Sequence, residues 1–184
     1  MAERHFGELS PELCGSRSAH GAWQSTVLEF LFLQNPLASF RPDRKQLPGQ
    51  RYPGLGIAKH VKDVVVWAGG AHHREMLMHC PDYFHNAFIY NGGGMRFLSP
   101  HCQAWFELMC ADLAGALKAS LADVAHKVND GKLRFRGVVV VWPLWEQGVP
   151  ISDRVKPLFE ANAVITQQLV AQAQGERPLF TLDD

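Results

Sequence analysis

Between Pro36 and Gly56 the chain carries four prolines and three glycines, interleaved with Arg41, Arg44, Lys45 and Arg51. Proline removes an amide donor and glycine has the most backbone freedom to lose, so neither a helix nor a paired strand is expected to run through this stretch. Its flanks are the opposite in character. Thr26-Val-Leu-Glu-Phe-Leu-Phe-Leu33 is β-branched and aromatic at strand length, and reads as a largely buried strand. From Ile57 the apolar positions Ile57, Val61, Val64, Val65 and Ala68 fall at helical spacing, with Gly69-Gly70 as a stop signal. A strand at Val64 to Trp67 competes with that helix, because consecutive valines have poor helix propensity. The glycine-bearing turn upstream favours the helix.

The rest of the chain continues the alternation. Glu75 to Cys80 reads as a short strand closed by Pro81, His85 to Tyr90 as a brief helix ended by Asn91-Gly-Gly-Gly94, and Met95 to Leu98 as a strand or extended exit. Ser99-Pro100 opens a predicted long helix that runs to about Val128, with apolar residues at three- and four-residue steps. Leu133 to Trp142 reads as a strand, Val155 to about Gln174 as a second amphipathic helix, and Leu182-Asp183-Asp184 as a solvated tail. Such alternation indicates an α/β or α+β layered domain. Residues 1–22, rich in Gly, Ser, His and charge, read as a loosely held arm ahead of a single domain.

Composition limits the partners. With 18 basic and 18 acidic side chains there is no broad basic field, so neither nucleic acid nor an anionic membrane surface is expected. The most apolar runs, Thr26 to Leu33 and Gly137 to Trp145, fall well short of the ~20 residues of a membrane-spanning helix. Cys14, Cys80, Cys102 and Cys110 include no CxxC pair, and nothing at the amino end resembles a secretory signal. The expectation is a reduced, cytoplasmic protein.

The segment that promises chemistry is Arg51-Tyr-Pro-Gly54-Leu-Gly56. Two glycines allow the backbone to approach a ligand, the first turn of the following helix has unpaired amides, and the helix dipole adds positive charge at that end. With four cationic side chains close in sequence, a pyrophosphate suits the site. No Gly-Lys-Ser/Thr follows, which sets it apart from a P-loop, and no third glycine, which sets it apart from the dinucleotide fingerprint. The segment matches Arg/Gln-x-x-Gly-x-Gly/Ala. About one helix and one strand later come Asn86-Ala87-Phe-Ile-Tyr90 and Gly94-Met-Arg-Phe97. In that order the two blocks resemble the acyl-CoA-binding core of the GNAT acetyltransferase superfamily, over about residues 26–98.

The resemblance implies a three-layer fold, a central mixed sheet flanked by helices. It implies that Arg51, Tyr52, Pro53, Gly54, Leu55 and Gly56 hold the pyrophosphate of acetyl-CoA or another acyl-CoA. The first strand would splay from the strand at Glu75 to Cys80, Asn86 would bond the pantetheine arm, and Tyr90 would serve as general acid to the thiolate leaving group. Glu29 is the candidate base, with His79 as the alternative. The acceptor would be an amine on a small molecule or peptide. The sequence departs from the family in having only about 25 residues before its first strand and in the long inserted helix. A truncated sheet would expose strand edges, so a homodimer is one expectation. Two other readings stand beside acyl transfer: a non-catalytic acyl-CoA sensor or interaction module of the same fold, and a metal-dependent enzyme using His72, His73, His79, Cys80 and His85. The spacing of that cluster is poor for a metal, and none is expected.

Overall fold

A computed structural model describes residues 23–29 and 31–183. The expected arm, residues 1–22, lies outside the described residues, as does Cys14. The chain is mixed α/β: β1 (Ser25–Leu28), α1 (Ala58–Ala71), β2 (Met76–His79), α2 (Phe84–Gly92), β3 (Arg96–Phe97), α3 (Pro100–Asp112), α4 (Ala114–Ala119), α5 (Leu121–Asn129), β4 (Leu133–Phe135), β5 (Val138–Val139), β6 (Gln147–Pro150), α6 (Lys156–Ala173) and β7 (Phe180–Leu182).

Four strands form a mixed sheet in the order β1-β2-β6-β3. β1 and β2 are parallel, Ser25 opposite Met76 and Leu28 opposite His79, and α1 makes the crossover that such a pair requires. β6 is antiparallel to both β2 and β3. Register sorts the faces. A Cβ on Gly69 of α1 would lie 3.6 Å from Thr26 Oγ1, and two residues along each strand the His79 ring meets Tyr90 of α2. α1 and α2 therefore share one face. Gly148, opposite Met78, faces Phe159 of α6 on the other. The second sheet, β5-β4-β7, is antiparallel.

The core lies under α3 and the second sheet. Trp105 makes edge contacts with Trp145 and Phe180 and a tilted one with Phe135, while Phe106 packs on Phe84 and Phe97. Met109, Val124, Val128, Leu133 and Val140 close around them. The buried Asp112 carboxylate at the end of α3 accepts from the amides of Leu179 and Phe180 and from Arg177 Nε, which ties β7 to the core.

Several expectations are corrected. The first strand is half its expected length and forms a sheet edge, with Val27 56% exposed. Apolar composition marked it as a strand but says nothing about which side is covered. The expected long helix is three helices. It breaks at Leu113, and again at Ser120, whose extended backbone and Oγ, accepting from Asp123 N at 3.2 Å, begin α5. The expected strand from Leu133 to Trp142 is a hairpin, because Arg136 and Gly137 both take positive φ, 49° and 79°, as a two-residue turn requires. Leu182, expected in a solvated tail, ends the strand Phe180–Leu182, and Asp183 pairs with Arg134. Cys80 and Cys110 are free thiols. Among the described residues no helix is long and apolar enough to cross a membrane.

Candidate functional site

The connection from β1 to α1 is shaped by one side chain that the sequence pattern does not single out. Gln34 Oε1 accepts from both Arg51 N and Tyr52 N, at 3.0 and 2.9 Å. On either side of a bridge between Gln34 and Gly54, Asn35 N donates to Pro53 O and Leu55 N to Leu33 O, each at 2.8 Å. These bonds use three of the donors in the Arg51 to Gly56 segment. The amides of Gly54, Gly56, Ile57, Ala58, Lys59 and His60 take no partner among the described residues; the first in-turn bond is Val61 N to Ile57 O. Gly56 has φ 74°, and a Cβ built there would meet nothing within 4 Å, so the turn opens to solvent.

The charge at this end is positive. α1 has no acidic residue in its first turn, no side chain caps it, and Lys59 and His60 lie within that turn. Of the four cations in the loop, Arg41 pairs with Asp43 and Lys45 with Asp123, whereas Arg44 and Arg51 are exposed and enter no ion pair among the described residues. The uncapped amides, the dipole and the spare cations suit an anion.

At the C-terminal end of β2, His79 Nδ1 lies 3.2 Å from Leu28 O. A carbonyl only accepts, so the proton sits on Nδ1 and the lone pair on Nε2. Nε2 is buried with no partner among the described residues. Burial lowers the His79 pKa below its usual value, against the opposing effects of the Leu28 bond and the Asp82 charge, so the ring is neutral near pH 7. The Tyr90 ring stands edge-on to it, 4.8 Å between centroids, and burial raises the phenol pKa. A neutral imidazole and a protonated phenol side by side can act as a base and an acid.

The other predicted residues are dispersed around this pair. Asn86 is half-buried on α2, one turn before Tyr90, and its side chain enters no hydrogen bond among the described residues. Glu29 lies one residue beyond β1 and is exposed, instead of being central in a buried strand. β1 and β2 remain paired through Leu28 and His79, so any opening between them begins beyond that pair. A cavity of about 420 Å³ lies elsewhere, between Thr26 and the second half of α1 at Val64, Val65, Ala68 and Gly69. The histidine cluster is pulled apart: His72 and His73 end α1, while His79 lies at the far end of β2. Among the described residues no three His, Cys, Asp or Glu side chains are grouped to hold a metal ion. Gln34, which organises the turn, and the buried Gln147, which bonds α2, were not singled out by sequence reasoning, since an isolated glutamine carries no periodic signal.

No family model, no curated protein and no solved structure matches this chain.

Proposed function

We propose that this chain is a GNAT-like protein that binds acetyl-CoA or another acyl-CoA and passes the acyl group to an amine. The observation that carries the reading is the uncapped amino end of α1: six amides without partners among the described residues, behind a glycine turn, in the crossover of a parallel strand pair. A central mixed sheet with α1 and α2 on one face and α6 on the other also supports it. Within the predicted cradle, Gly54 and Gly56 keep free donors and Ile57 to His60 extend them, whereas the Arg51, Tyr52 and Leu55 amides are committed to the turn itself. Asn86 would bond the pantetheine arm, and Tyr90 would protonate the departing thiolate. His79 fits the base better than Glu29, because it adjoins Tyr90 and Glu29 does not lie in the paired strand.

A second reading, a non-catalytic acyl-CoA sensor or interaction module, is favoured by one observation: His79 Nε2 is covered, and β1 and β2 stay closed through Leu28. Calorimetry with acetyl-CoA tests both readings, and absence of binding at millimolar ligand would sink them together. Thiol release from acetyl-CoA across an amine panel then separates them. Transfer predicts turnover that Tyr90→Phe lowers by about a hundredfold; the sensor reading predicts binding without turnover.

A further inference from the structure

The cavity between Thr26 and the second half of α1 takes no part in the site described above, and its lining changes chemistry along its length. Small side chains make the hollow: Thr26 on β1 faces Ala68 and Gly69 on α1, with Val64 and Val65 as the apolar wall. Gly69 lets α1 close on the sheet, since a Cβ there would lie 2.7 Å from Ile151 Cδ1. β1 is the outer strand, so among the described residues no further strand covers this side.

The far end of the cavity is cationic. His72 and Arg74 line it, and no lining residue is acidic. Arg74 is exposed, its Nη1 donates to Gln24 Oε1 at 3.2 Å, and it enters no ion pair among the described residues. The adjacent Glu75 carboxylate is taken up by Gln24 N and Arg154. The last carbonyls of α1, which would repel an anion, already accept main-chain bonds. His72 N donates to Ala68 O and Gly69 O, His73 N to Gly70 O and Arg74 N to Gly69 O.

We propose that this cavity binds a medium-chain monocarboxylate, its hydrocarbon along Val64, Val65 and Ala68 and its carboxylate on Arg74 beside His72. A guanidinium with spare N–H groups matches a carboxylate, and one permanent cation in the lining matches a single negative charge. Length follows from the helix: Val64 and His72 stand about two turns apart, roughly 12 Å, room for a chain of about eight carbons. The volume of about 420 Å³ is of small-ligand size. The free carboxylate separates this ligand from an acyl thioester, so the proposal does not rest on the acyl-CoA reading.

The test is methyl ¹³C NMR of the full chain, titrated with octanoate below its micellar concentration and, in parallel, with uncharged octanol. The cavity predicts saturable octanoate shifts at the Thr26, Val64, Val65 and Ala68 methyls, with the Val124 and Val128 methyls unmoved. Affinity should be about tenfold weaker for octanol, and about tenfold weaker for octanoate in Arg74→Gln, the loss of a charge-assisted bond at a partly exposed site. Ala68→Leu, which fills the hollow, should abolish the response; if that variant does not fold, octanol and Arg74→Gln still decide. No saturable shift at these methyls in the wild type overturns the proposal, as does octanol binding as tightly as octanoate or undiminished octanoate affinity in Arg74→Gln. Shifts of the same methyls with protein concentration alone, and none with octanoate, would place a second copy in the hollow and also overturn it.

Discussion

Trp105 and Trp67 both sit on helices, but Trp105 is 3% exposed at the centre of an aromatic cluster and Trp67 is 75% exposed on α1. The contrast extends to the regions that carry them. α3 buries seven of its residues and α5 four, and the end of α3 is pinned to β7 by a buried carboxylate. α1 buries only Gly69, its amino end is uncapped, and β1 beside it has no fully buried residue. One region has its apolar area packed within the fold. The other leaves apolar side chains and, among the described residues, amide donors open, which is the condition for recognising something outside the chain.

The most direct way to break this contrast is to truncate both tryptophans. Trp105→Ala is expected to cost about 3–5 kcal/mol in chemical denaturation, as for other large core deletions. Trp67→Ala should stay within about 0.5 kcal/mol. Comparable losses would mean that α1 is packed after all.

A second prediction concerns His85, which is 3% exposed at the start of α2 and stacked on Tyr83. Burial, and then the nearby His126, lower its pKa from 6.5 to about 4. In the unfolded chain the imidazole takes its proton near 6.5; in the fold it does not until about 4. Stability is therefore full above about pH 6.5, falls by about 3 kcal/mol as the pH drops toward 4, and levels off below that. Denaturation midpoints across this range should flatten in His85→Phe, which retains a ring against Tyr83. An unchanged slope in that variant would place the acid sensitivity elsewhere.

A smaller effect than at Trp105 or His85 should come from Ser120, which caps α5 from a half-buried position. Ser120→Ala should cost about 1 kcal/mol, since Asp123 N loses its partner. A loss as large as that of Trp105→Ala would show that the break between α4 and α5 is held by this cap alone.

How legible each region was follows from the same contrast. α1, β2, α2 and α6 carry their own periodicity and stop signals, so local pattern was enough to find them. The irregular Pro36 to Gly56 connection was also readable, because prolines and glycines act locally. Breaks inside the apolar half were missed because the helical period runs on through them. The Ser120-Leu-Ala-Asp123 cap was written in the sequence, and Arg136-Gly137 holds a turn within a run that otherwise looks like strand. β6 offered no signal: Gly148 and Pro150 are poor strand residues, and Gln147 belongs there only because the sheet closes around it. Around the candidate site, the glycine turn, Asn86 and Tyr90 were singled out by pattern. Gln34, whose side chain organises the turn from seventeen residues away, and Gln147 become visible only once the strands are paired.

The central claim is that the amino end of α1 is left open for an acyl-CoA pyrophosphate, and backbone ¹⁵N NMR of the full chain during acetyl-CoA titration tests it most directly. The account predicts saturable shifts at Gly54, Gly56 and Ile57 to His60, joined by Asn86 and Tyr90, with the α3 and α5 amides unmoved. Saturable binding that shifts other amides while leaving Gly54 to His60 unchanged, or no binding at millimolar ligand, would contradict it.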